Sequence, residues 1–193
     1  MRFTKRYRLG FFVASILLGV YIAIAMCHNE PIKAIGAVQL NNRFIEERIR
    51  HDISKLESKT DIEEYSLDLT AELLYFTDKQ KFRSPSYLCL DKAIGAHCVG
   101  YSQVCTAICN YAFQQKGMTH VKARHMRGDV EFLGISLTKI LRWSFSKLGM
   151  TKWAAFCQDH DYVEVVNTST NEIVSFDPSV YDLLGLELRH NQR

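Results

Sequence analysis

The spacing of hydrophobic and polar positions changes character several times along the chain. Leu9 to Met26 (LGFFVASILLGVYIAIAM) is an uninterrupted 18-residue run without a charge. From Asn42 to about Ser58, Ile45, Ile49, Ile53 and Leu56 recur at helical spacing among charged residues, which predicts an amphipathic helix. Thr60-Asp61-Ile62-Glu63 fits a capping box, and Ile62, Tyr65, Leu69, Leu73 and Phe76 form the stripe of a second helix. Residues 77–97 are polar and interrupted by Pro85 and Gly95, the pattern of a long loop leading to Cys98.

A third helix is predicted over Cys98 to Gln115. There Tyr101, Val104, Cys105, Ile108, Cys109 and Ala112 keep the i, i+3, i+4, i+7 rhythm of one buried face, and Gly117 stands ready as a C-terminal stop. The period then shortens. His120–Met126, His160–Val166 and Ile173–Asp177 are short β-rich segments, and the last two read as a hairpin across Asn167–Glu172. If the tight loop is Asn167–Thr170, His160 faces Asp177 directly, at the roughly 4.5 to 5.5 Å between Cβ atoms of opposed residues. Between the strands, Phe132 to Cys157 carries Leu137, Ile140, Leu141, Phe145 and Leu148 at helical spacing. With Lys139, Arg142, Lys147 and Trp143 among them, this helix reads either as a lid or membrane-resting surface, or as a helix packed on the core.

The uncharged run follows the basic cluster MRFTKRYR and is long enough for a membrane helix. It exceeds the apolar core of about 7 to 15 residues usual in a cleaved signal peptide, which favours an uncleaved signal anchor; Ala23-Ile24-Ala25 offers a small-x-small cleavage pattern. Cys27 adds lipidation as a third option, for which Met26 is a poor neighbour. The expectation is a single-pass protein, or an exported one if the leader is cleaved, with residues after the run on the non-cytoplasmic side.

Composition narrows the function classes. The chain has 193 residues, 47% hydrophobic and 23% charged, enough for one domain with a sizeable core. Its net charge of +3 comes from the leader: Arg2, Lys5, Arg6 and Arg8 stand there without an acid, leaving −1 for the remainder. Without a basic stripe, nucleic acid is set aside as a partner. The cysteines at 27, 89, 98, 105, 109 and 157 include no C-x-x-C pair, so neither a zinc ribbon nor a thioredoxin-type motif is offered. Outside the cytoplasm Cys89 with Cys157 is the disulfide to test, whereas Cys105 and Cys109 read as small core residues. Arg127-Gly128-Asp129 spells an adhesion tripeptide but reads as part of a strand, and His97 and His125 lack the paired spacing of metal ligands.

Cys98 differs from the other thiols because it opens a helix. A thiol attacks as the thiolate, and its pKa falls at a helix N-terminus or beside a protonated histidine. His160 is placed to take the proton and Asp177 to orient the imidazole, giving nucleophile, base and orienter. Glu164 shares a face with His160 and Tyr162 and is a candidate support; Tyr87 and Gln103 are candidates for a side-chain oxyanion donor beside the Cys98 backbone N–H.

Four segments occur in a telling order. They are His97-Cys98-Val99-Gly100-Tyr101-Ser102, Ala123-Arg124 through Gly128, His160-Asp161-Tyr162-Val163-Glu164-Val165, and Asp177-Pro178-Ser179. Together they resemble the transglutaminase-like cysteine enzyme superfamily over roughly residues 60 to 181. The resemblance implies a papain-like α+β fold: N-terminal helices, a central helix starting at the nucleophile, and an antiparallel sheet carrying His and Asp. It implies Cys98, His160 and Asp177 as the catalytic triad and a protein or peptide amide as substrate; no cofactor and no metal are expected. Hydrolysis is favoured, as in a cysteine peptidase or amidase; a transamidase or a non-catalytic binding module on the same fold are the alternatives. The sequence departs from the family pattern in lacking the aromatic soon after D-P-T, for which Tyr181 is a substitute, and in the span Phe132–Cys157, which looks inserted. The expected organisation is a leader over 1–26, an N-terminal helical segment over 27–59, and a catalytic domain over 60–193 with a helical insertion at about 132–157. Oligomeric state is not legible.

Overall fold

Helices form where the apolar stripes predict them, with ends set by local chemistry. The structure, a computed structural model, describes residues 27–36, 38–77, 81–132, 135–150, 160–185 and 189–192. Helix α1 (Arg43–Asp52) buries Ile45 and Ile49 and is capped by Asn42, whose side chain accepts from the Ile45 N–H at 3.3 Å. The same side chain donates to the Pro85 and Leu88 carbonyls, tying the helix start to the loop that leads to the site. Helix α2 (Lys59–Leu73) does have a capping box, two residues earlier than expected: Ser58 Oγ accepts from the Asp61 N–H at 3.1 Å, and the Asp61 carboxylate accepts from the Ser58 N–H at 2.9 Å. Phe76, assigned by periodicity to this helix, lies instead in a short strand, β2 (Leu74–Phe76), parallel to β3 (Ile94–Ala96). The stretch expected to be one loop therefore contains a strand.

Helix α3 (Cys98–Gln115) has the expected limits, and all six residues of its predicted stripe are fully buried. Gly117 follows with φ of +71°, the left-handed conformation that glycine adopts without strain. The helix packs across an antiparallel sheet of order β1-β4-β6-β7-β8, in which β5 (Ile135–Ser136) pairs with the end of β4. Its strands are β1 (Cys27–Gly36), β4 (Val121–Phe132), β6 (His160–Asn167), β7 (Glu172–Phe176) and β8 (Arg189–Gln192). Asn110 on α3 clips helix to sheet, donating to the Ala123 carbonyl at 2.9 Å and accepting from its N–H at 2.8 Å, just beyond His125, where the pairing of β1 with β4 ends. The described chain is thus a mixed α+β fold with an antiparallel sheet, and its core lies between α1, α2, α3 and that sheet.

Several expectations are corrected. Residues 27–59 do not begin as a helical segment, because Cys27–Gly36 is an edge strand on β4. The single-pass anchor and the non-cytoplasmic location drawn from it are not met: among the described residues no helix is long and apolar enough to cross a membrane. The longest of them, α3, is interrupted by Ser102, Gln103, Thr106 and Asn110 and serves as the core helix of the fold. The run Leu9–Met26, on which both expectations rested, lies outside the described residues. Cys89 is a free, exposed thiol rather than half of a disulfide, and Cys157 lies outside the described residues.

Within the expected insertion, helix α4 (Leu137–Lys147) forms behind a Ser136 cap. It is not packed on the core through its apolar stripe: Ile140, Leu141, Trp143 and Leu148 are exposed, and Thr138 is its buried residue. Asp129 of β4 holds it by accepting from the Thr138 hydroxyl and pairing with Lys139 at 3.5 Å. With Asp129 so engaged and Arg127 bonded to Asp161, the Arg127-Gly128-Asp129 tripeptide is a piece of strand with both charges committed within the fold.

Candidate active site

The site assembles where the start of α3 meets the start of β6. His97 is the helix N-cap, its Nδ1 accepting from the Val99 N–H at 3.4 Å, and Cys98 is the first helical residue. The first N–H groups of a helix have no intrahelical acceptor and carry the positive end of its dipole, so the thiol stands where negative charge is favoured. Gly100 is required by close approach. A Cβ there would lie 2.7 Å from the Ala96 Cβ and 3.1 Å from the Phe82 ring, so its absence lets the first turn settle against β3.

His160 opens β6, and Asp177 ends the hairpin as N-cap of helix α5 (Pro178–Leu184). The hairpin runs from Val163 opposite Phe176 to Asn167 opposite Glu172, two residues out of the expected register. Its loop is Thr168–Asn171, with Asn171 at φ of +58°, rather than Asn167–Thr170. An even shift leaves each side chain on its face, whereas an odd one would have reversed it. Asp177 therefore still reaches His160, bonding the imidazole through Nε2 and Oδ2. Its Oδ1 is saturated by the Ser179 N–H at 2.9 Å, the Ser179 hydroxyl at 2.7 Å and the Val180 N–H at 3.1 Å. Since Nε2 faces Asp177, Nδ1 is the ring nitrogen left for the thiol.

The three groups shift one another in a consistent direction. Burial pushes the Cys98 thiol up, but hydrogen bonds with His160 and His97, the charge of His160 and the Asp161 backbone N–H together hold it at about 6. Burial pulls the His160 imidazole down; the Asp177 carboxylate, by charge and hydrogen bond, and then Cys98 raise it well above its ordinary value. Burial likewise raises Asp177, and the charge and hydrogen bond of His160, with Ser179 and Val180, bring it below the usual carboxylate range. Between these values the favoured state is a thiolate beside an imidazolium.

The structure thus brings Cys98, His160 and Asp177 together. Two contributors escaped the sequence reading. His97 is weighed in the sequence only as a metal ligand, although it immediately precedes the predicted start of the helix, the N-cap position. The Asp161 N–H is a backbone group and leaves no residue-type signal. Glu164 is buried, accepts from the Tyr162 hydroxyl at 3.2 Å and is raised by burial, without a bond to the triad. Tyr87 is 67% exposed on a short turn and Gln103 half-buried on α3, and the geometry assigns neither to an oxyanion. Tyr181 donates to Asp68, fastening α5 to α2. Among the described residues no group of three or more His, Cys, Asp or Glu is arranged to hold a metal. A cleft of about 810 Å³ lies at the other end of α3, lined by Asn110, Tyr111, Gln114 and Val121 to Arg124, and includes none of the triad.

No family model matches the chain, and no curated protein and no solved structure does so either.

Proposed function

We propose that the protein is a thiol-dependent acyl-transfer enzyme acting on peptide or protein amides, most simply a hydrolase, with a papain-like arrangement of helix and sheet. The observation that carries this reading is a thiol at the start of α3 meeting the His160 imidazole, whose other side Asp177 fixes, an arrangement that lowers the Cys98 thiol to about 6. The Cys98 thiolate attacks the amide carbonyl carbon, and the developing oxyanion takes a hydrogen bond from the Cys98 backbone N–H at the start of α3. His160, already protonated, gives its proton to the departing amine as the C–N bond breaks, leaving a thioester on sulfur. The neutral imidazole then removes a proton from water, which attacks the thioester; the acid departs and the thiolate–imidazolium pair is restored. An amine in place of water would give transamidation by the same steps. Asp177 keeps the imidazole in the required orientation and stabilises its charged form, the role of the acid in such triads.

An activated ester tests this without knowledge of the natural substrate. With p-nitrophenyl acetate, the expected result is a burst of one equivalent of nitrophenol, one acetyl group on the peptide containing Cys98, and slow release to water or to added amine. Cys98→Ala removes the burst while the chain stays folded, and His160→Ala slows it. Acetylation of Cys89 as fast as of Cys98, or a burst retained in Cys98→Ala, would contradict the proposal.

A further inference from the structure

Asp161, next to His160 on β6, is 1% exposed, and a buried carboxylate survives only with its charge compensated. Compensation comes from β4. Arg127 Nε donates to Oδ1 at 3.1 Å and Nη2 to Oδ2 at 3.5 Å, and the fully buried His125 places Nε2 3.6 Å from Oδ1. Arg127 and Asp161 are register partners, so the guanidinium fork spans the ladder where β6 begins. The backbone N–H of Asp161 is itself directed at the Cys98 sulfur. We propose that Arg127 and Asp161 form a positioning clamp. By gripping the carboxylate, Arg127 fixes the peptide unit between His160 and Asp161, which keeps that N–H on the thiolate and the imidazole beside it. Neither residue touches substrate. The assignment rests on the thiol-enzyme reading and goes beyond it, naming a device on the neighbouring strand that sets the reactivity of the nucleophile.

A clamp and a pair of nearby charges differ in sign. The groups facing the sulfur are His97 at its own helix start, His160 with Asp177 behind it, and Asp161 with Arg127 and His125 from β4. If Asp161 acted as a bare negative charge, neutralising it would ease ionisation of Cys98. If it acts as a clamp, neutralising it frees the donor and makes ionisation harder. The test is iodoacetamide labelling of Cys98 in the full chain across pH, for wild type, Asp161→Asn, Arg127→Gln, the double variant and Arg127→Lys. The clamp predicts that both single variants raise the labelling midpoint by about one pH unit, slowing labelling below the midpoint roughly tenfold. The double variant should be no worse than either single one, and Arg127→Lys should recover part of the loss. A midpoint lowered in Asp161→Asn and raised in Arg127→Gln, or unchanged in both, would overturn the clamp. The Arg127 side chain is 38% exposed, so Arg127→Gln leaves the core closed. Should Asp161→Asn fail to melt cooperatively, Arg127→Gln at low and high salt decides: a positional effect persists in salt, and a shift that salt abolishes overturns the proposal. An ordinary thiol midpoint in wild type would instead remove the functional reading itself, a result distinguishable because no variant enters it.

Discussion

Asp177 divides its carboxylate between two tasks, and this division makes the site testable at a single position. Oδ1 is the N-cap of α5 and Oδ2 belongs to His160. Asp177→Asn keeps an oxygen for the cap and loses the charge; Asp177→Ala loses both. The asparagine variant should lower the His160 pKa and return the thiol toward its ordinary value of 9.0, with labelling at neutral pH slowed at least tenfold. The alanine variant should cost a further ~1 kcal/mol of stability, the worth of a cap. The sign of the pH dependence follows from the two shifts. A carboxylate lowered in the fold stabilises it fully above its unfolded value of about 3.8, and this is lost as pH falls through the folded value. An imidazole raised in the fold stabilises it fully below about 6.5, and this is lost as pH climbs through the folded value. With the thiol removed, so that its own ionisation does not enter, the stability difference between Cys98→Ala and Cys98→Ala with Asp177→Asn, followed by urea unfolding, should therefore be largest between these limits and shrink on either side. A difference that grows steadily with alkalinity would contradict the pairing.

Elements that carry their own instructions were legible in the sequence, and those that depend on distant partners were less so. The limits of α3 followed from six apolar positions at helical spacing and a glycine stop, and the hairpin from two β-rich segments around a polar turn. The register was missed by two because nothing local says which four residues form the loop, and it is Asn171, at positive φ, that resolves the choice. The capping box was placed at Thr60 rather than Ser58, since both positions offer a hydroxyl three residues before an acid. Strand β1 was invisible: Cys27–Gly36 has no alternation, and its only instruction is its pairing with β4 a hundred residues later. Gly100→Ala drives a methyl against the Ala96 Cβ and the Phe82 ring, so it should destabilise the fold by about 1 to 3 kcal/mol and displace the thiol from His160. Ala96→Gly in the same chain removes the nearest obstacle and should restore part of both the melting temperature and the rate of Cys98 labelling.

Across the described residues, one helix lies against one antiparallel sheet, and the three candidate residues meet at a single end of that contact. Helix α3 supplies the thiol and its field, β6 the imidazole and a backbone donor, and the turn into α5 the carboxylate. β4 stands behind them with Arg127 and His125, and the lining of the cleft at the far end of α3 includes none of the three. The candidate triad was legible because Cys98 opens the helix that carries the apolar stripe, and His160 and Asp177 bracket the two arms of a hairpin around a polar turn. The outward apolar residues of α4 were legible as an amphipathic stripe, but not the direction it would face, since that depends on how Asp129 holds the helix. Whether these elements keep Cys98 ionised is read from the rate of Cys98 alkylation in the full chain from acid to alkaline pH, in wild type and His160→Ala, with Cys89 as internal reference. The wild-type midpoint should lie near 6 and move up by about two units or more when His160 is removed, while Cys89 is unaffected. A Cys98 that labels no faster than Cys89 near neutrality, with or without His160, would contradict an ionised Cys98.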